Sequence, residues 1–261
     1  DMKTIQIKKG LDIPVSGKPE QKIRSGNTVG QVAVIGDDYI GLKPTMLVTP
    51  GDKVITGQPL FTDKKNIGVS ITSPGCGTVT GINRGEKRKF ESLTITLDGD
   101  DGITFCEPTT QPQELEQKFI RDVLVQSGLW VSFRTRPYGK TPAIDSEPSS
   151  LFITAIDTAP LAADPHVIIN EYQDNYQLGL RILRSMLSVP IHYCSGSTVL
   201  EPYEEVDGLD YYSFQGPHPS GLPSTHIHFI DPVHEDKTVW HIGYQDVIAI
   251  GYLFTSGQLL T

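Results

Sequence analysis

Residues 133–140, "FRTRPYGK", place Phe133 and Tyr138 beside Arg134, Arg136 and Lys140. Planar aromatic walls beside fixed N–H donors suit a flat ligand with two carbonyl oxygens, such as a quinone head group. The same composition suits a docking surface for another protein chain, because interfaces are enriched in Arg and Tyr. Both readings stand on the residues alone. A second candidate is "TDKKN" (62–66), where Lys64 and Lys65 sit between two strand-like runs. A lysine on a hairpin tip can carry a swinging cofactor, but a pair of charges at a turn more simply keeps a strand edge soluble. A third is "HIH" (226–228). As a strand it would set His226 and His228 on one face, in the manner of a metal site. With no cysteine close by to close such a site, hydrogen-bonded histidines under a loop are the plainer reading, and no metal is expected.

Elements must hold these groups, and their grammar changes near residue 110. Before it, "QVAVIGDDYIGL" and "MLVTPGDKVITGQPLF" are short apolar runs cut by Gly-Asp, Pro-Gly and Thr-Gly, which reads as an all-β section. After it, Leu115, Phe119, Ile120, Val123 and Leu124 fall at helical spacing, with Pro112 in the first turn and Gly128 as the stop. Strand-like "SLFITAID", helical "EYQDNYQLGLRILRSML", and strand-like "PIHYCSG" and "DYYSFQG" then alternate, as expected of a parallel or mixed sheet with helices on it. "TVWHIGYQDVIAIGYLF" begins as a strand and becomes ambiguous. The expected architecture is α+β or α/β in two units: residues 1–108, a β domain with an N-terminal extension, and residues 109–255, an α/β domain.

The bulk numbers narrow the function. The chain has 261 residues and a net charge of −9, which argues against a nucleic-acid partner. No apolar run reaches the ~20 residues needed to span a bilayer. Cys76, Cys106 and Cys194 stand apart without a CxxC pair, so neither an iron–sulfur cluster nor a disulfide framework is expected in this chain. No GxSxG nucleophile elbow is present. Nor is there a glycine-rich phosphate cradle: the stretch after the first helix has Gly128 and Gly139 with bulky side chains between them. A nucleotide bound by backbone N–H groups is therefore not expected, and no catalytic residue is assigned.

"VTPGDKVITGQPLF" and "ITSPGCGTVTGI" resemble the two halves of a barrel-sandwich hybrid, the scaffold of lipoyl and biotinyl domains, although the tip lacks the flanking residues of either carrier. With "GLDIPVSGKPEQ", "SPGCGTVTGINRGEKR" and above all "GPHPSGLPSTHIHFIDPV" (216–233), essentially the whole chain resembles the A-subunit family of bacterial sodium-translocating NADH:quinone oxidoreductases. The resemblance implies a Rossmann-like second domain related to the flavin subunit of complex I but without its nucleotide cradle. It also implies a longer family chain, with residues 256–261 opening a ubiquitin-like domain. The implied function is that of a component at the cytoplasmic face of the bacterial inner membrane. It contributes to ubiquinone binding and assembly, binds no cofactor of its own, and relies on FMN, FAD and Fe–S centres on partner subunits. Alone it should not turn over NADH. The alternative is a non-catalytic docking module of the same complex without quinone contact; a lipoyl or biotin carrier is the remaining possibility.

Overall fold

A computed structural model describes residues 2–196 and 204–261. Turns and alternating β-branched residues build the first body from two sheets. Strands β2 (Gln31–Ile35), β4 (Lys53–Val54), β7 (Gly77–Arg84) and β8 (Phe90–Leu97) form one sheet in the order β2-β8-β7-β4. Strands β3 (Pro44–Met46), β5 (Pro59–Asp63) and β6 (Ser70–Thr72) form the other, in the order β3-β5-β6. Their inner faces meet through Leu60, Phe61, Val79, Leu93 and Ile95, all buried, and Phe61 meets Phe90 edge-to-face at 5.1 Å between ring centroids. Gly77 is required where β7 pairs closely with β8, since a Cβ there would lie 2.0 Å from the Thr96 carbonyl oxygen. This is the barrel-sandwich hybrid that the turn pattern foretells.

The second body is a six-stranded sheet in the order β1-β12-β11-β10-β13-β9. Strands β1 (Lys3–Gln6), β10 (Leu151–Ala155), β11 (Ile191–Ser195), β12 (Leu209–Gln215) and β13 (Val239–Gly243) run parallel, while β9 (Arg134–Arg136) is antiparallel at one edge. Every residue of β10 and β11 is buried, as required of strands covered on both faces. Helices α1 (Gln117–Ser127), α2 (Pro165–Glu171), α3 (Gln173–Met186), α4 (Pro223–Ile230) and α5 (Tyr244–Ser256) complete it. Helices α3 and α5 pack backbone to backbone, because Gly251 and Gly179 let them close: a Cβ on Gly251 would sit 1.7 Å from the Asn175 carbonyl oxygen.

Several expectations need correction. Lys3–Gln6, at the head of the segment assigned to the β domain, pair with β12 in the α/β sheet instead. The first helix starts at Gln117, because residues 112–114 form a separate 3-10 turn; Phe119 lies on its outer side, while Ile120, Val123 and Leu124 are buried. "HIH" belongs to α4, where a separation of two residues turns side chains to different faces: His226 is buried and His228 exposed. The ambiguous stretch resolves as β13 followed directly by α5. Residues 256–259 stay on the α/β body: Gly257 caps α5, its carbonyl accepts from the Phe105 N–H at 2.8 Å, and Leu259 packs on the core.

The two bodies share a fixed seam. The Thr72 hydroxyl donates to the Ser127 carbonyl at 2.7 Å, and Val69 of the β body is buried in the α/β core. The Trp130 indole donates to the Pro142 carbonyl at 2.9 Å. The Arg121 guanidinium holds the following segment through the carbonyls of Ile144 and Ser146.

A candidate ligand cleft between the two bodies

Lys65 and Lys140, 75 residues apart in sequence, line one cavity of about 480 Å³ at this seam. Its apolar wall is Ile40, Leu42, Val69, Ile71 and Val131, and Tyr39, Asn66 and Thr141 add polar atoms. Tyr39 and Val131 also line an adjoining cavity of about 300 Å³ with Ser132, Arg134, His241 and Asp246. The hairpin tip and the stretch after the first helix, separate candidates in the sequence, thus converge on one cleft.

Arg134 ties the two cavities together. Its guanidinium donates to the Val131 carbonyl at 2.6 Å, the Thr141 hydroxyl at 3.2 Å and the Asp38 carbonyl at 3.0 Å. It also lies over the Tyr39 ring, 5.9 Å from the centroid, so one cation spans both bodies. Asp246, in the first turn of α5, accepts from the Ser132 hydroxyl at 3.0 Å. Burial raises its carboxyl above the usual range, against the pull of the Ser132 hydrogen bond and of Arg134. Burial likewise raises the Tyr39 hydroxyl, keeping it a neutral donor.

The five residues expected to present a surface divide. Phe133 does not reach the surface: it is fully buried against Trp130 and Trp240, with centroids at 5.2 and 5.6 Å. Arg134 and Lys140 border the cleft. Arg136 lies in β9 opposite Val239, with its Nε buried and unpaired. Tyr138 projects outward, 74% exposed, from the turn that follows. The segment therefore does not cap the carboxyl ends of the parallel strands; as an antiparallel edge strand it runs from His241 of β13 back toward Val239. Spacing cannot signal that, because "FRTR" reads equally as loop or strand.

The lysine tip is pinned. Asp63 accepts from the backbone N–H groups of Lys43 and Lys65 at 3.1 and 2.9 Å, and the Asn66 amide donates to the carbonyls of Thr141 and Pro142 at 3.0 and 3.1 Å. The carboxyl edge of the sheet is occupied differently. Gly10 is pressed on residue 218, where a Cβ would lie 2.1 Å from the His218 carbonyl oxygen, and Gln21 clips residues 162–164 above the ends of β10 and β11. The turn at 216–223 stands at this edge, with the Thr158 hydroxyl 2.9 Å from His218 Nδ1. Among the described residues, no group of three or more His, Cys, Asp or Glu is placed to hold a metal ion.

Two histidines give a pH prediction. Burial lowers His226 to about 4, against a hydrogen bond to the Ser220 carbonyl that favours the charged form. Burial, reinforced by Arg136 and Arg134, lowers His241 to about 4. The unfolded chain binds protons at these sites from about pH 6.5 downward, and the fold does so only near pH 4. The contribution of these histidines to stability is therefore complete above pH 6.5 and is lost as pH falls toward about 4, by about 1.4 kcal/mol per pH unit for each. Asp246, with its raised carboxyl, works with the opposite sign and offsets part of this. Denaturant midpoints between pH 7.5 and 5 should decline, and His241→Gln should flatten the slope; a flat wild-type profile contradicts this.

The fold and cleft define a class: a barrel-sandwich hybrid domain packed on an α/β domain, with a mixed polar and apolar cleft at the seam. Residues 5–98 match the model of the NqrA N-terminal barrel-sandwich hybrid domain, and residues 115–259 match the NqrA second alpha/beta domain. The A subunit of the Na(+)-translocating NADH-quinone reductase of Haemophilus influenzae (strain PittEE) is 52% identical over 257 residues. That of Pseudomonas aeruginosa (strain UCBPP-PA14) is 54% identical over 258 residues. Each alignment covers 98% of this chain and 58% of the relative. The chain belongs to the NqrA family, and it spans less than two thirds of the length of these relatives. Among the described residues, no helix is long and apolar enough to cross a membrane.

Proposed function

We propose that the chain serves a sodium-pumping NADH:quinone reductase by seating a quinone head group in the cleft between its two bodies. One observation carries the reading: Tyr39, an aliphatic wall, Lys65, Asn66 and Lys140 line a cavity of about 480 Å³, and Arg134 lines the cavity that adjoins it. A quinone ring needs a flat apolar wall, and its two carbonyls need donors; both are supplied by elements fixed at the seam. FMN, FAD and Fe–S centres on partner subunits supply the electrons, and the isolated chain does not turn over NADH. It sits at the cytoplasmic face of the membrane, held by partner subunits. Residues 1–108, apart from the strand β1 that joins the α/β sheet, and residues 109–255 act as two domains. Neither Lys64 nor Lys65 carries lipoyl or biotin, in keeping with their pinned hairpin.

Docking without quinone contact is the second reading. It is favoured by the exposed apolar residues near the cleft, Ile40, Ile67 and Tyr138, which are 58%, 86% and 74% exposed. Calorimetric titration of the chain with a short-chain ubiquinone analogue separates the two. Saturable one-site binding is expected. Absence of binding, together with loss of assembly in an Ile67→Asp, Tyr138→Asp variant, would establish docking instead.

A further inference from the structure

Residues 8–30 are exposed throughout and contain neither helix nor strand. A segment of that length pays a large conformational cost to stay extended, so something must hold it. What holds it here is polar. The Leu11 N–H donates to the His218 carbonyl at 2.9 Å, Asp12 accepts from the His218 N–H at 2.8 Å, and Gln21 bonds the Ala162 carbonyl at 3.2 Å and the Asp164 N–H at 2.7 Å. The aliphatic side chains do none of this work. Leu11, Ile13 and Val15, at alternate positions, are 69%, 61% and 44% exposed, and Ile23 and Val29 are 48% and 60% exposed. The anchors spread the strap over the protein while leaving its apolar side chains in water.

Charge tells what covers them. The strap has five cations, Lys8, Lys9, Lys18, Lys22 and Arg24, against Asp12 and Glu20. The whole chain has 22 basic and 31 acidic residues, so 17 basic and 29 acidic remain elsewhere. A net +3 strap thus rides on a body of net −12. Cations concentrated against the overall charge point to an anionic surface.

We propose that residues 8–30 are a lipid-contact strap, laying Leu11, Ile13 and Val15 among the anionic headgroups of a phospholipid bilayer. The proposal rests on the reading of the chain as a peripheral component of a membrane complex. Lipid fits better than a membrane-embedded protein partner. Cytoplasmic loops of such partners are themselves rich in Lys and Arg and would repel the strap, whereas the cytoplasmic leaflet is anionic. Lipid also accepts scattered short aliphatic side chains without a matching pocket.

The test is co-sedimentation of the 261-residue chain with vesicles of phosphatidylcholine, with and without phosphatidylglycerol. The chain should pellet with the anionic vesicles, little with phosphatidylcholine alone, and less as salt is raised. Removing one strap cation should weaken partitioning about fivefold. Lys18→Glu with Lys22→Glu should abolish it, and so should Leu11→Ser, Ile13→Ser and Val15→Ser combined. Both variants should keep the wild-type unfolding transition, since the changed side chains are exposed, and wild-type affinity for the quinone analogue, so failure of the strap is distinguishable from failure of the cleft. Equal pelleting of wild type and triple variant overturns the proposal. So does absence of vesicle binding, and if the triple variant then fails to join its partner subunits, the strap is a protein interface.

Discussion

Replacing Phe133 with alanine should cost about 3–5 kcal/mol of stability, the penalty for emptying a fully packed aromatic site. The side chain has no exposed surface and meets Trp130 and Trp240 at 5.2 and 5.6 Å between centroids. No small residue can refill that corner, because both indoles are themselves buried and Trp130 is fixed by its bond to the Pro142 carbonyl. The loss would fall on the seam, since the same carbonyl accepts from Asn66 of the β body. Tyr138→Ala, five residues on and 74% exposed, should shift stability by about 0.5 kcal/mol or less. Guanidinium-induced unfolding of the two variants checks the contrast. A small effect at Phe133 would mean that the aromatic cluster is not the support of the cleft.

Arg134→Ala should weaken binding of a quinone analogue about tenfold or more, the worth of a charge-assisted hydrogen bond. Not every bond of Arg134 has to reach the ligand. Its guanidinium holds the Asp38 carbonyl on one body and the Val131 carbonyl on the other, and lies over the Tyr39 ring. Removing it deletes a donor near the ligand and frees the aromatic wall. Arg134→Lys restores the charge but not the planar fork, so it should recover only part of the affinity. Arg136→Ala is the control: Arg136 lies in β9 opposite Val239 and lines neither cavity. Equal loss in both variants would indicate a diffuse effect of charge rather than a site.

Much of the architecture is legible in the residues. Gly-Asp and Pro-Gly turns between alternating Val, Ile and Thr announce the β sandwich, and the all-apolar start of "LFIT" announces a strand buried on both faces. Helix α4 is not legible: "PSTHIHFI" has no helical apolar stripe, and tertiary burial of His226 and Ile227 decides it. The candidate cleft is half legible. Arg134 and Lys140 stand out as cations beside aromatics, but Phe133 has the same signature and goes inward, because adjacent residues of an extended segment face opposite ways. Tyr39 and Asp246 carry no local signal. One lies just past a short 3-10 turn in the β body, the other in the first turn of α5, and only the packing of the two bodies brings them to one cleft.

The most direct measurement is a methyl and amide NMR titration of the chain with a short-chain ubiquinone analogue. A quinone seated at the seam predicts saturable shifts at Tyr39, Leu42, Val69, Ile71 and Val131, with Ile13 and Val15 of the strap unmoved. Shifts gathered instead around Gln21, Asp157 and His166 at the carboxyl edge of the sheet, or no saturable shift at all, would contradict it.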